Sequence, residues 1–134
     1  MKKEFSVTFP GEKRVAAHYN GFTVQTDQSV KNGGKASAPE PFDLFFVSLA
    51  TCAGIYVLEF CQARDLNTEG LAVQLHAERD DAKKLFTPIS IDITLPADFP
   101  EKYRNAIIKT ANLCTVKKHI LGQPEFDVRL VNWV

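Results

Sequence analysis

The sequence predicts an α+β fold with antiparallel sheets and two main helices. Three observations point there. Several short stretches alternate apolar and polar residues, the period of a half-buried strand. One long segment, Phe42–Cys61, holds 15 apolar residues out of 20. A later segment spaces Tyr103, Ile107, Ala111 and Cys114 by four, four and three, which puts them on one helix face. The order is βββ, helix, ββ, helix, β. Strands grouped in this way favour α+β over a parallel α/β sheet. At 134 residues the chain is expected to form a single domain, 1–134.

The elements follow in order. Phe5, Val7 and Phe9 alternate with polar neighbours, and Pro10-Gly11 is a turn. Arg14–Tyr19 and Phe22–Thr26 flank Asn20-Gly21, a pair suited to a two-residue type I′ hairpin because both positions take positive φ. Lys31–Lys35 reads as a flexible loop around Gly33-Gly34. The first helix is expected to start near Pro41, where proline gives up no hydrogen bond, and to run to about Arg64. Asp43 then sits in the first turn, where the helix dipole favours a carboxylate. Leu71, Val73 and Leu75 mark the next strand, and Ile89, Ile91, Ile93 and Leu95 the cleanest one. Asp98-Phe99-Pro100-Glu101 has the form of a capping box. The helix after it is expected to end by Gly122, and Phe126–Val131 to form a final strand.

Lys plus Arg is 16 and Asp plus Glu is 16, so the net charge is zero. That balance lacks the basic excess of a nucleic-acid or anionic-membrane binder, and neither partner is expected. The uncharged run Leu44–Leu58 is 15 residues long and carries Ser48, Thr51 and Gly54. It is short for a membrane span, which needs roughly 18 or more apolar residues, so a buried helix is expected. Apolar residues cover almost its whole circumference, and a helix apolar all round needs enclosure on every side. One small sheet covers one side. An obligate homodimer with this helix near the interface is therefore expected. Met1–Phe5 shows no apolar stretch after its lysines, so no secretory signal is read and the expected location is cytoplasmic.

Chemistry centres on cysteine. Cys52, Cys61 and Cys114 form no CxxC pair and no disulfide framework. His18, His76 and His119 lack metal-ligand spacing, and Asn32-Gly33-Gly34 lacks the ending of a phosphate loop. No cofactor or metal is expected. Cys61 lies nine residues after Cys52, on the opposite helix face, and reads as a packing residue. Cys52 and Cys114 lie on core-facing sides of different helices, so their sulfurs meet only if those helices pack together.

The stretch Ser37–Cys52, which follows the Gly33-Gly34 loop and carries Pro41, an acidic residue and an apolar helix with Cys eleven positions after the Pro, resembles the signature of the OsmC/Ohr family. These are the osmotically inducible protein C and organic hydroperoxide resistance proteins. Leu113-Cys114-Thr115-Val116-Lys117-Lys118 resembles the family's second cysteine motif, 62 residues after the first. The resemblance covers nearly the whole chain. It implies a domain-swapped homodimer with two cysteine sites at the subunit interface. It also implies a thiol-dependent peroxidase for organic hydroperoxides, with Cys52 as the attacking thiol, Cys114 as the resolving thiol and an external dithiol as reductant. Active members activate the first Cys with an Arg held by a Glu directly after the Pro. Here Phe42 takes the Glu position and Asp43 follows, as in the less characterised Pro-Xaa-acidic-Leu branch. Arg14 is the basic residue nearest the position used by the hydroperoxide resistance branch, so Arg14 and Asp43 complete the expected site. Phe42, Phe45, Phe46 and Tyr56 read as core, with some of them free to line an apolar ligand pocket. The alternative reading is a redox-sensing or small-ligand-binding dimer that keeps the fold and both thiols.

Overall fold

The computed structural model describes residues 1–131 and has the expected α+β architecture, with two antiparallel sheets. The chain divides into two compact units, Met1–Val47 and Ser48–Val134.

The first unit is a three-stranded sheet, β1 (Ser6–Gly11), β2 (Arg14–Tyr19) and β3 (Phe22–Thr26), in the order β1-β2-β3. Both hairpin positions have positive φ, 46° at Asn20 and 79° at Gly21, and Tyr19 pairs with Phe22 across them. The two-residue turn therefore fixes the register, as its sequence requires. Only Ala16 of β2 and Thr26 of β3 are fully covered; Phe5, Val7, Phe9 and Phe22 are exposed. Loop 27–40 is laced by hydrogen bonds. It contains a 3-10 turn at Val30–Asn32 and is held by side chains described below.

Helix α1 (Asp43–Gln62) starts two residues after Pro41. It buries Leu49, Ala53, Val57, Phe60 and Cys61, a stripe at helical spacing. Phe42, just before it, and Val47 and Ile55 on it are exposed, so the chain alone encloses one side of the helix.

In the second unit β4 (Ala72–Asp80) and β5 (Leu85–Thr94) form a two-stranded antiparallel sheet. Both run longer than the alternation indicates, because the hairpin continues past a register shift between Ala77 and Arg79. Val57, Phe60, Cys61, Phe99 and Ile107 make the core, with Val73 and Ile93 of the sheet packed on it.

The second predicted helix is two. A 3-10 turn at Glu101–Tyr103 leads into α2 (Arg104–Ala111), and after a break comes α3 (Thr115–Leu121). Three features favour the break. The Thr110 hydroxyl donates back to the Ala106 carbonyl at 2.9 Å, Asn112 follows, and Cys114 takes an extended ψ of 123°. Asp98 does not cap. Its carboxylate accepts from Asn67, and Pro100 precedes the turn without a side-chain bond. The strand expected at Phe126–Val131 is not formed. Residues 123–131 have no regular structure, and Phe126, Val128 and Leu130 are exposed. A strand needs a neighbour for its backbone groups, and the described chain gives this segment none.

Candidate functional site

The break between α2 and α3 builds the site. It ends α2, sets Cys114 as the residue that caps α3, and turns the first amides of α3 outward from the helix. Those amides have no partner within their own helix. Here they meet the Cys52 sulfur of α1. The backbone N–H groups of Val116 and Thr115 and the Cys114 thiol face it and favour its charged form. Cys52 is half-buried and Cys114 is 2% exposed. Both are free thiols.

The two sulfurs shift in opposite directions. Burial pushes the Cys52 thiol up, but the Val116 N–H, the Cys114 S–H and the Thr115 N–H outweigh it and bring it below its ordinary value. Burial also pushes Cys114 up. The Lys117 and Val116 amides oppose that, while its hydrogen bond to Cys52 and the charge on Cys52 add to it. Cys52 is therefore the more acidic thiol of the pair and Cys114 the less acidic one. Cys61 is completely buried, and burial raises it, with Arg64 opposing.

The surroundings of the pair are ordered. The Tyr56 and Thr115 hydroxyls are 3.0 Å apart, and His119 Nδ1–H donates to the Thr115 carbonyl at 2.7 Å. Lys117 Nζ donates to Asn112 Oδ1 at 2.8 Å across the break. A groove of about 550 Å³ opens here, lined by Tyr56, Leu113, Thr115, Lys118, His119 and Leu121.

The other two expected residues lie in the first unit. Arg14 opens β2 opposite Gly11 and is exposed, with its guanidinium beside Gly11. Asp43 opens α1, and its amide donates to the Glu40 carbonyl at 3.0 Å. Phe42, Phe45 and Phe46 form one aromatic cluster with ring centroids 5.1–5.7 Å apart.

A second convergence of donors was not expected from the sequence. Asp27 is 2% exposed. Its carboxylate accepts from the Ser37 hydroxyl at 2.6 Å and from the amides of Gln28, Ser37 and Lys35. The Ser37 hydroxyl leads these donors in lowering its pKa to about 2. Glu40 accepts from the Ser29 amide at 2.8 Å and from Asn32 Nδ2 at 3.0 Å, which lowers its pKa too. A Cβ on Gly34 would collide with the Gln28 carbonyl, so the loop closes this tightly only on glycine. Gly33-Gly34 was the one sequence signal for this clasp. Among the described residues no group of three or more His, Cys, Asp or Glu side chains is arranged to hold a metal.

A family model described as OsmC-like protein matches residues 33–129. No curated protein matches the chain. Among solved structures, a protein from Psychrobacter arcticus described as an osmotic stress induced and detoxification response protein is 25% identical, with a TM-score of 0.73 over 88% of this chain and 87% of that one. An OsmC-like protein from Mycoplasma pneumoniae is 14% identical, with a TM-score of 0.71 over 92% and 89%. An organic hydroperoxide resistance protein from Legionella pneumophila is 14% identical, with a TM-score of 0.57 over 91% and 90%.

Proposed function

The chain belongs to the OsmC-like protein family, and on that premise we propose that it reduces organic hydroperoxides through Cys52 and Cys114. The opposite shifts of the two thiols carry this reading. The Cys52 thiolate attacks the outer oxygen of the peroxide, the O–O bond breaks, and the leaving alkoxide takes a proton to become the alcohol. Cys52 is left as a sulfenic acid. The Cys114 sulfur, giving up its proton to the departing hydroxyl, then attacks the Cys52 sulfur; the S–O bond breaks, a disulfide forms and water is released. An external dithiol takes the disulfide back to two thiols. A sulfenic acid is preserved only if a thiol captures it before further oxidation, and Cys114, close enough to Cys52 for each to shift the other's pKa, is placed for that.

Arg14 and Asp43 enter as the activating cation and its carboxylate partner. Their contribution adds to that of the amides of Thr115 and Val116, which already favour the thiolate. The working unit is a homodimer in the cytoplasm. The exposed apolar residues of β1 and α1 and the strandless segment around Phe126, Val128 and Leu130 support a second copy as the missing cover. Helix α1 is also long and apolar enough to cross a membrane by length and composition; its Val57, Phe60 and Cys61 pack in the core of the second unit, and a second copy would cover the rest.

Phe42 favours a second reading. It stands where peroxidase members carry Glu, and it packs with Phe45 and Phe46, as in a small-ligand-binding or redox-sensing dimer. Turnover separates the two. With cumene hydroperoxide and excess dithiothreitol, the peroxidase reading predicts steady consumption that Cys52→Ser abolishes. Consumption equal in wild type and Cys52→Ser contradicts it. A single slow oxidation without turnover supports the sensing dimer.

A further inference from the structure

Tyr56 lies one helical turn after Cys52 on α1, so the two side chains share a face. Its hydroxyl meets that of Thr115 at 3.0 Å. The amide of Thr115 and the next amide, Val116, face the Cys52 sulfur and favour its charged form. The Thr115 carbonyl is held by His119 Nδ1–H at 2.7 Å. Thr115 is thus fixed at its hydroxyl, its amide and its carbonyl.

Helix α3 has seven residues and buries none of them fully. So short a helix gains little from its own hydrogen bonds, and its position depends on tertiary anchors. Thr115 is exposed and Tyr56 half-buried, so their hydroxyl pair adds nothing to the core. What it does is tie α3 to α1 at the residue that touches the sulfur.

We propose that Tyr56 is a positioning residue for Cys52: its hydroxyl, through Thr115, holds the first amides of α3 on the Cys52 sulfur. This rests on the reading of Cys52 as the reactive thiol. On α3 and its cap the titratable groups are Cys114, Lys117, Lys118 and His119, and on the Cys52 half of α1 they are Tyr56, Glu59 and Cys61. The Tyr56→Phe and Thr115→Val variants keep every one of these except the Tyr56 hydroxyl, so any change in the Cys52 pH profile reports the hydroxyl pair.

The test is iodoacetamide labelling of the reduced protein across pH, resolved by peptide mapping, with no peroxide present. Tyr56→Phe keeps the ring and is expected to move the Cys52 profile to higher pH. Labelling at pH 7 then falls roughly threefold, as a half-unit rise in a thiol pKa requires. Thr115→Val should reproduce the shift, Thr115→Ser should restore the wild-type profile, and the double variant should add nothing to either single one. Cys61 must stay protected throughout, which reports an intact fold. If Thr115→Val exposes Cys61, the Tyr56→Phe profile alone decides. An unchanged Cys52 profile in Tyr56→Phe overturns the proposal, as does a double variant whose shift is the sum of the singles. Because no peroxide is used, failure here leaves the peroxidase reading intact, and failure of turnover leaves this result intact.

Discussion

Each unit of the molecule gathers hydrogen-bond donors on one anionic atom or group, and they do it for different ends. In the first unit three amides and the Ser37 hydroxyl converge on the Asp27 carboxylate. In the second, two amides and the Cys114 thiol converge on the Cys52 sulfur. The physics is shared, since donors aimed at a group favour its charged form. The outcome depends on the group's ordinary pKa. A carboxylate is ionised at neutral pH in any case, so the donors around Asp27 fix the shape of a loop. A thiol is mostly protonated there, so the donors around Cys52 change its reactivity.

The largest way to break this comparison is to remove the anion on either side. Cys52→Ser is expected to abolish peroxide consumption completely. Cys114→Ser should still react once, leaving a sulfenic acid that dimedone traps and no intramolecular disulfide. A Cys114→Ser protein that turns over normally with dithiol would remove Cys114 from the resolving role. Asp27→Asn should leave the chemistry of the thiols as a separate matter and act on stability. It swaps one acceptor oxygen for a donor facing donors, so the urea midpoint should fall clearly. An unchanged midpoint would mean that the clasp contributes little.

A pH titration sharpens the contrast. Asp27 has a folded pKa of about 2 against an ordinary 3.8. Its folded value is depressed, so its stabilisation is complete above the ordinary value and is lost as pH falls toward the folded one. Wild type should therefore lose stability between about pH 4 and 2, and Asp27→Asn should show a smaller loss across that window. Urea midpoints over that range would read it. Cys52 is also depressed, but its window lies near and below the ordinary thiol value, and there labelling rate reports it. Arg14→Ala is the smallest of these changes. A modest fall in peroxide consumption is expected if Arg14 adds to what the amides supply, and an unchanged rate would take it out of the site.

The sequence made some of this legible and hid the rest for physical reasons. Asn20-Gly21 and the alternation of Phe5, Val7 and Phe9 carried the first sheet, because turn chemistry and a period of two are local signals. The spacing of Tyr103, Ile107, Ala111 and Cys114 ran straight through the break between α2 and α3, since apolar periodicity records which face is buried and not whether the backbone is continuous. The cysteines were visible as side chains. Their pairing was implied by the resemblance, but the amides that face Cys52 were not visible, because every residue but proline carries one. Asp27 was hidden similarly. Its partners are amides and one serine spread over residues 28–37, and only Gly34 marked how tightly that loop had to close. The segment Phe126–Val131 alternates as a strand does, but alternation does not supply the neighbour that completes one.

The most direct test of the central claim is a single-turnover oxidation. Reduced protein is treated with one equivalent of cumene hydroperoxide, and intact mass and a non-reducing peptide map are recorded over seconds to minutes. The account predicts rapid loss of two hydrogens per chain, a Cys52–Cys114 disulfide within one chain, and Cys61 still a thiol. A disulfide involving Cys61, or both Cys52 and Cys114 still reduced after the peroxide is consumed, would contradict it.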